Sequence, residues 1–204
     1  MNKREYFLKV FRKAERKYGR MEKRLAGEGW GEDWQVLIAT IMSAQSRDET
    51  TIPIAEELFR KYRSLKSLSI AKEKDVLRIF KRLNYNRTKA KNVIAAARFI
   101  VNEFKGKLPD EIGELVKIPG VGRKTANLVI WEVHNKHGIC VDTHVHRISN
   151  VLGIVNTNSP EKTEMALREI VPKRLWGNVN RIFVLWGKDF RGKDRKRLLR
   201  KLEE

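Results

Sequence analysis

Apolar residues return along this chain at steps of three and four. Ala90, Val93, Ile94, Ala97, Ile100, Val101 and Phe104 share one face of a helix of about four turns, because a 3.6-residue period brings positions i, i+3, i+4 and i+7 to the same side. Val76, Leu77, Phe80 and Leu83 repeat the pattern just before it. Ile52, Ala55, Leu58, Phe59 and Tyr62 predict another helix, with Pro53 acceptable in its first turn. The run WQVLIATIMSA at 34–44 is apolar nearly all round and reads as a buried helix, although its composition also suits a strand. Ile112, Leu115 and Val116 predict a short helix, and Ala126, Val129, Ile130 and Val133 a longer one. Ser159 followed by Pro160 is a cap and first-turn signal for a helix carrying Ala166, Leu167, Ile170 and Val171. Sustained period-two alternation is missing, so the fold class is all-α. No solenoid repeat or low-complexity linker interrupts it.

Charge changes the picture more than size does. Among 204 residues, 44 are Lys or Arg and 25 are Asp or Glu, a formal net charge of +19. A surface this basic attracts polyanions through counterion release, and the eight Phe, five Trp and four Tyr supply stacking surface, so nucleic acid is favoured over a membrane face. A solvated basic face is the plainer alternative. The charged fraction of 34% also suits a thermophile. No apolar run reaches the roughly 18 residues of a spanning helix, and the N-terminus lacks an apolar signal core, so a cytoplasmic, nucleoid-associated protein is expected. A single cysteine, Cys140, excludes an internal disulfide and four-thiolate ligation within one chain.

The segment IPGVGRKTAN, 118–127, carries specific chemistry. Gly120 and Gly122 flank Val121, which allows positive φ and leaves main-chain amides pointing outward at the start of the next helix. Those amides, the positive end of the helix, Arg123 and Lys124 make a natural anion site. A helix–hairpin–helix that holds a phosphate is one reading, and a tight glycine turn between packed helices is the other. Eighteen residues after Lys124, Asp142 follows the apolar pair Cys140 and Val141. A lysine and a carboxylate in one cleft suit nucleophilic attack on carbon, with burial neutralising the amine and the carboxylate taking its proton or stabilising a cationic sugar. Equally, Asp142 is well placed to cap a helix over Thr143–Leu152.

Four motifs taken together decide between these readings. LIATIMSAQSRDET at 37–50, NYNRTKAKNVI at 84–94, IPGVGRKTANLVI at 118–130 and VDTHVHRISNVLG at 141–153 resemble, in order and spacing, the endonuclease III branch of the helix-hairpin-helix DNA glycosylases. The resemblance runs from about residue 30 to residue 187. It implies two helical lobes with a DNA-binding cleft between them, a continuous one over 27–134 and a second built from 1–26 and 135–204. It places the catalytic pair on Lys124 and Asp142, and phosphate contacts on Gly120, Gly122, Arg123 and Arg147. Gln45 and Tyr85 would fill the gap left by a flipped base. Asn84 departs from the glycine usual in the family before the second of these wedges. A monovalent cation held by the main-chain carbonyls of Val116, Ile118 and Val121 is a further family feature.

The family's four-cysteine loop is missing. Trp186–Phe190 reaches the corresponding point, Arg191 stands where the first cysteine would be, and no iron–sulfur cluster or other required cofactor is expected. The tail RGKDRKRLLRKLEE reads as a short basic helix with Leu198, Leu199 and Leu202 on one side, either packed where the cluster loop would sit or solvated. His144 and His146, two apart, and His134 and His137, three apart, lack the i,i+4 spacing of a helical zinc motif, which points to structural or DNA-contact roles. The expected activity is a monomeric base-excision glycosylase with abasic-site lyase activity, acting on double-stranded DNA that carries a damaged or mismatched base. A monofunctional glycosylase and a non-enzymatic DNA-binding module are the alternatives. Base choice has no linear motif.

Overall fold

The computed structural model describes residues 2–204. Among them are twelve α-helices, two 3-10 turns and no strand, as the all-α expectation requires. The chain divides into two compact units. One is the segment ending at Lys23 together with Lys136–Glu204, and the other is Arg24–Asn135. In chain order the helices are α1 (Lys3–Tyr18), α2 (Asp33–Ser43), α3 (Asp48–Lys61), α4 (Leu65–Ser69), α5 (Glu73–Ile79), α6 (Asn86–Glu103), α7 (Ile112–Leu115), α8 (Arg123–Glu132), α9 (Thr143–Val151), α10 (Pro160–Ile170), α11 (Trp176–Asp189) and α12 (Arg195–Arg200). No described helix is long and apolar enough to cross a membrane.

The unit Arg24–Asn135 is organised around α2 and α6. The ambiguous run at 34–44 is helical, and eight of its residues, Trp34 and Val36–Met42, are buried. A helix apolar on all sides needs neighbours all round, and α2 has them in α3, α6 and α8. Leu37, Ile38, Met42, Leu58, Leu68, Phe80, Ile100, Ala126 and Val129 are fully enclosed, and each large apolar side chain so buried contributes on the order of 1.5–3 kcal/mol. Trp30 and Trp34 both meet Phe59 edge-on, at 4.9 and 5.1 Å between ring centroids. One sequence expectation is corrected. Helix α3 begins at Asp48, so Pro53 lies inside it, beyond the first turn. The helix starts early because Thr51 Oγ1 donates to the Arg47 carbonyl and the Thr50 and Thr51 amides bond back to the same oxygen, nucleating a turn that the apolar pattern does not mark.

The second unit is held by aromatic packing between α1 and α11. Phe7, Phe11, Phe183 and Trp186 form a chain of ring contacts at 5.3 to 6.4 Å, and Tyr18 stacks on Trp186 at 6.3 Å. Tyr18 donates its hydroxyl to Asp189 Oδ2 at 2.7 Å, and burial together with that carboxylate pushes its ionisation upward. Helix α1 starts in a capping box between Asn2 and Glu5, and α10 starts as its sequence signal predicts, with Ser159 accepting from the Lys162 amide. The basic tail packs. Asp194 caps α12, Leu198 is fully buried, Trp186 Nε1 donates to the Leu198 carbonyl at 3.2 Å, and Lys17 Nζ reaches the Lys201 carbonyl.

Candidate active site

One glycine shapes the hairpin between α7 and α8. Gly120 has φ +81°, which strains any side chain, and a Cβ there would stand 3.0 Å from Cβ of Asn92 and crowd it. Gly122 differs. Its φ of −95° and ψ of 175° suit any residue, it is the N-cap of α8, and no atom lies within 4 Å of where its Cβ would be. The positive φ that the glycines allow is taken by Gly120 alone, and that single left-handed residue is enough to aim the chain into α8. Gly122 instead leaves open space over the helix end. The turn closes through the Val121 amide on the Ile118 carbonyl at 3.0 Å, and the Ala126 amide on the Gly122 carbonyl at 3.0 Å. Among the described residues the amides of Gly120 and Gly122 donate to no acceptor. Both glycines are exposed, as are Arg123 and Lys124 in the first turn of α8. Two unpaired amides beside the positive end of a ten-residue helix make a seat for a phosphate oxygen.

Asp142 caps α9. Its Oδ1 accepts the amides of His144 and Val145, both at 2.9 Å, which leaves Oδ2 outside the cap. Capping and chemistry are therefore compatible in one carboxylate. His144 lies against Gly187 of α11, where a Cβ would collide with the imidazole ring, so the missing side chain at 187 lets the two helices close on each other. Burial lowers the His144 pKa, and the nearby Asp142 carboxylate opposes that shift. His146 Nδ1 is paired with Thr163 Oγ1 at 2.6 Å, and Asn150 donates to the His146 carbonyl. No group of three metal-ligating side chains occurs among the described residues.

Arg147, for which a phosphate contact is expected, is engaged by main-chain carbonyls. Its guanidinium donates to the carbonyls of Gly187, Phe190 and Gly192 at 2.7 to 3.0 Å, tying the end of α11 and the turn after it to α9. Three main-chain bonds from a half-buried guanidinium are a structural commitment, because withdrawing it would leave those carbonyls unsatisfied. Burial lowers its pKa while Asp142 opposes the shift.

Gln45 and Tyr85 fall on two exposed turns of the unit Arg24–Asn135, one after α2 and one before α6. Both are left-handed without being glycine, at φ 53° and 55°. Asn84, whose replacement of glycine leaves the turn's geometry open at the level of sequence, donates its Nδ2 to the Gln45 carbonyl at 2.6 Å.

Sequence reasoning missed Lys89. It is 5% exposed, and its Nζ donates to Ser46 Oγ at 2.8 Å, with no carboxylate in ion-pair range among the described residues. The signal was present in the register. Lys89, Val93, Ala96 and Ile100 stand at steps of four, three and four, and all are buried. Desolvation lowers the lysine from 10.5 to about 8. An unfolded lysine keeps its proton to higher pH than this, so the fold bears a buried charge below pH 8 and is relieved of that cost as pH rises toward 10.5. Lys89→Met is accordingly expected to gain most in stability over the wild type below pH 8, with the gain fading as pH approaches 10.5. Urea unfolding of both proteins across that range checks this, and a difference independent of pH would contradict it.

Comparison with known proteins sets this geometry in context. The profile of the family described as HhH-GPD superfamily base excision DNA repair protein matches residues 38–173. The chain is 44% identical over 155 residues to Endonuclease III of Thermotoga maritima, spanning 76% of this chain and 73% of that one. It is 37% identical over 145 residues to Endonuclease III of Synechocystis sp., spanning 71% and 66%. Among solved structures, a trapped endonuclease III–DNA covalent intermediate in an estranged-adenine complex matches with a TM-score of 0.86 at 26% identity, over 94% of this chain and 89% of that one. A thermostable thymine-DNA glycosylase, 19% identical with a TM-score of 0.75 over 89% and 84% of the chains, shares the fold.

Proposed function

The chain belongs to the HhH-GPD superfamily of base excision DNA repair proteins and is of its endonuclease III type, a DNA glycosylase with abasic-site lyase activity; from that premise we propose that Lys124 is its nucleophile and Asp142 the carboxylate that assists it. The observation that carries this reading is the exposed lysine one residue beyond Arg123, in the first turn of the helix that follows the exposed Gly120 and Gly122 amides. Phosphate held at Gly120, Gly122 and Arg123 brings the sugar within reach of an amine fixed to the same turn. Lys124 is exposed, so the dry environment that favours a neutral amine comes from the DNA that covers it rather than from burial in the free protein.

The substrate is double-stranded DNA with a damaged or mismatched base, extruded from the stack before reaction. Gln45 and Tyr85 fill the gap it leaves. Lys124 Nζ, having lost its proton, attacks C1′ as the bond from C1′ to the base breaks and the base departs with its electron pair. The carboxylate of Asp142 stabilises the positive charge that develops on the sugar. The C1′–O4′ bond then breaks as the Nζ lone pair forms the C=N bond, O4′ leaves with its electron pair and takes a proton shed by Nζ, and the resulting imine acidifies C2′. Loss of a C2′ proton and rupture of the 3′ C–O bond cut the strand, and water then hydrolyses the imine to release Lys124. An endonuclease III of the same fold has been trapped in covalent union with DNA.

The residues present do not fit an iron–sulfur cluster, which takes four thiolates where this chain has Cys140 alone, buried at 4% exposure. The main-chain carbonyls of Val116, Ile118 and Val121 are hard oxygen donors of the kind a monovalent cation takes, and the Ile118 carbonyl keeps a lone pair beyond its bond to the Val121 amide. Such an ion would brace the hairpin and take no part in the reaction. A panel of duplexes, each with one oxidised pyrimidine, uracil, 8-oxoguanine or alkylated purine, tests the function when base release and strand scission are read separately. Scission in the same turnover as release is expected. Release that leaves the strand intact would mark a monofunctional enzyme, and binding without release a non-catalytic module.

A further inference from the structure

The geometry points to Asn84 and Lys89 as positioning residues that fasten the turns bearing Gln45 and Tyr85 into one rigid wedge. The connections form a closed ring. Asn84 Nδ2 donates to the Gln45 carbonyl at 2.6 Å, the Tyr85 carbonyl accepts the Lys89 amide at 3.0 Å, and Lys89 Nζ donates to Ser46 Oγ at 2.8 Å. The covalent steps from Gln45 to Ser46 and from Asn84 to Tyr85 complete it. Two turns 39 residues apart in sequence are thus joined at both ends by hydrogen bonds.

The ring has work to do because each turn is strained. Gln45 and Tyr85 hold left-handed backbones that a side chain disfavours, and they do so with those side chains exposed, Tyr85 at 64%. Free of the ring, either turn would gain by relaxing toward an ordinary conformation and re-aiming its side chain. Lys89 is the anchor. Its side chain is enclosed in the first turn and a half of α6, a helix of 18 residues, so it ties the exposed Gln45 turn to a buried element. Asn84 supplies what glycine cannot, a side-chain donor that reaches across to the opposite turn. A wedge set before DNA arrives loses less conformational freedom on insertion than two independent loops.

This inference rests on the gap-filling role proposed for Gln45 and Tyr85, and its test separates the two. The probe is a duplex with 2-aminopurine opposite a tetrahydrofuran abasic analogue, whose fluorescence at saturating protein reports unstacking of the estranged base. In the full-length chain, Asn84→Ala is expected to lower that signal at least about two-fold, the lower end of the coupling seen between contacting residues. Adding Asn84→Ala to the double variant Gln45→Ala/Tyr85→Ala should lower it no further, because the strap acts only through those two side chains. Lys89→Met should lower the signal while raising the temperature of unfolding, which excludes a folding defect as the cause. A wild-type signal in Asn84→Ala, or a loss that adds in full to that of Gln45→Ala/Tyr85→Ala, overturns the strap and leaves the wedge standing. A wild-type signal in Tyr85→Ala overturns the gap-filling reading, and the strap with it.

Discussion

Asp142→Asn is expected to slow base release by about 10²–10³-fold, the scale on which removing one preorganised electrostatic partner acts, while scission at a preformed abasic site falls less. The asymmetry follows from where the charge matters. Base departure builds cationic character on the sugar, whereas the later steps begin from an imine that already exists. The substitution is informative because the cap survives it. Asparagine offers the same Oδ1 to the His144 and Val145 amides and caps a helix about as well as aspartate, so α9 should stay folded. Thermal unfolding of the variant should stay close to that of the wild type. Release and stability falling together would assign Asp142 to the cap alone.

Lys124→Gln is expected to have the larger effect and to bring strand scission down to background. Glutamine keeps a similar length and polarity but has no amine to form an imine. Because Lys124 is exposed in the first turn of α8, the hairpin should not depend on it, and affinity for undamaged duplex should change little beyond the loss of one positive charge. Gel-shift titration and scission assays on the same preparation check both halves. Loss of binding in proportion to loss of scission would make Lys124 a phosphate contact instead.

The sequence announces those parts of this site that are local. The stripe from Ala90 to Ile100 becomes the buried face of α6, Ser159 and Asp142 cap the helices they precede, and the glycine between Pro119 and Val121 turns the hairpin. Each of these rests on a few neighbouring residues whose chemistry fixes the backbone without help from elsewhere. The parts that stay hidden are pairings over distance. Arg147 meets carbonyls 40 to 45 residues away, Asn84 a carbonyl 39 residues away and Lys89 a hydroxyl 43 residues away. A guanidinium suited to a phosphate is equally suited to a row of carbonyls, and residue type alone does not choose between them. Lys89 shows a different limit. A lysine within an apolar stripe is legible once the stripe's register is drawn through it, but a charged residue is ordinarily assigned to the solvent face because burying it costs stability.

The central claim is that the Lys124 amine becomes bonded to DNA. Sodium borohydride added during turnover on a duplex with one abasic site reduces the imine to a stable amine, and mass spectrometry of the digested adduct locates the modified residue. The deoxyribose remnant is expected on Lys124, in the segment that follows Arg123. An adduct on the N-terminal amine or on another lysine, or scission with no adduct at all, would contradict it.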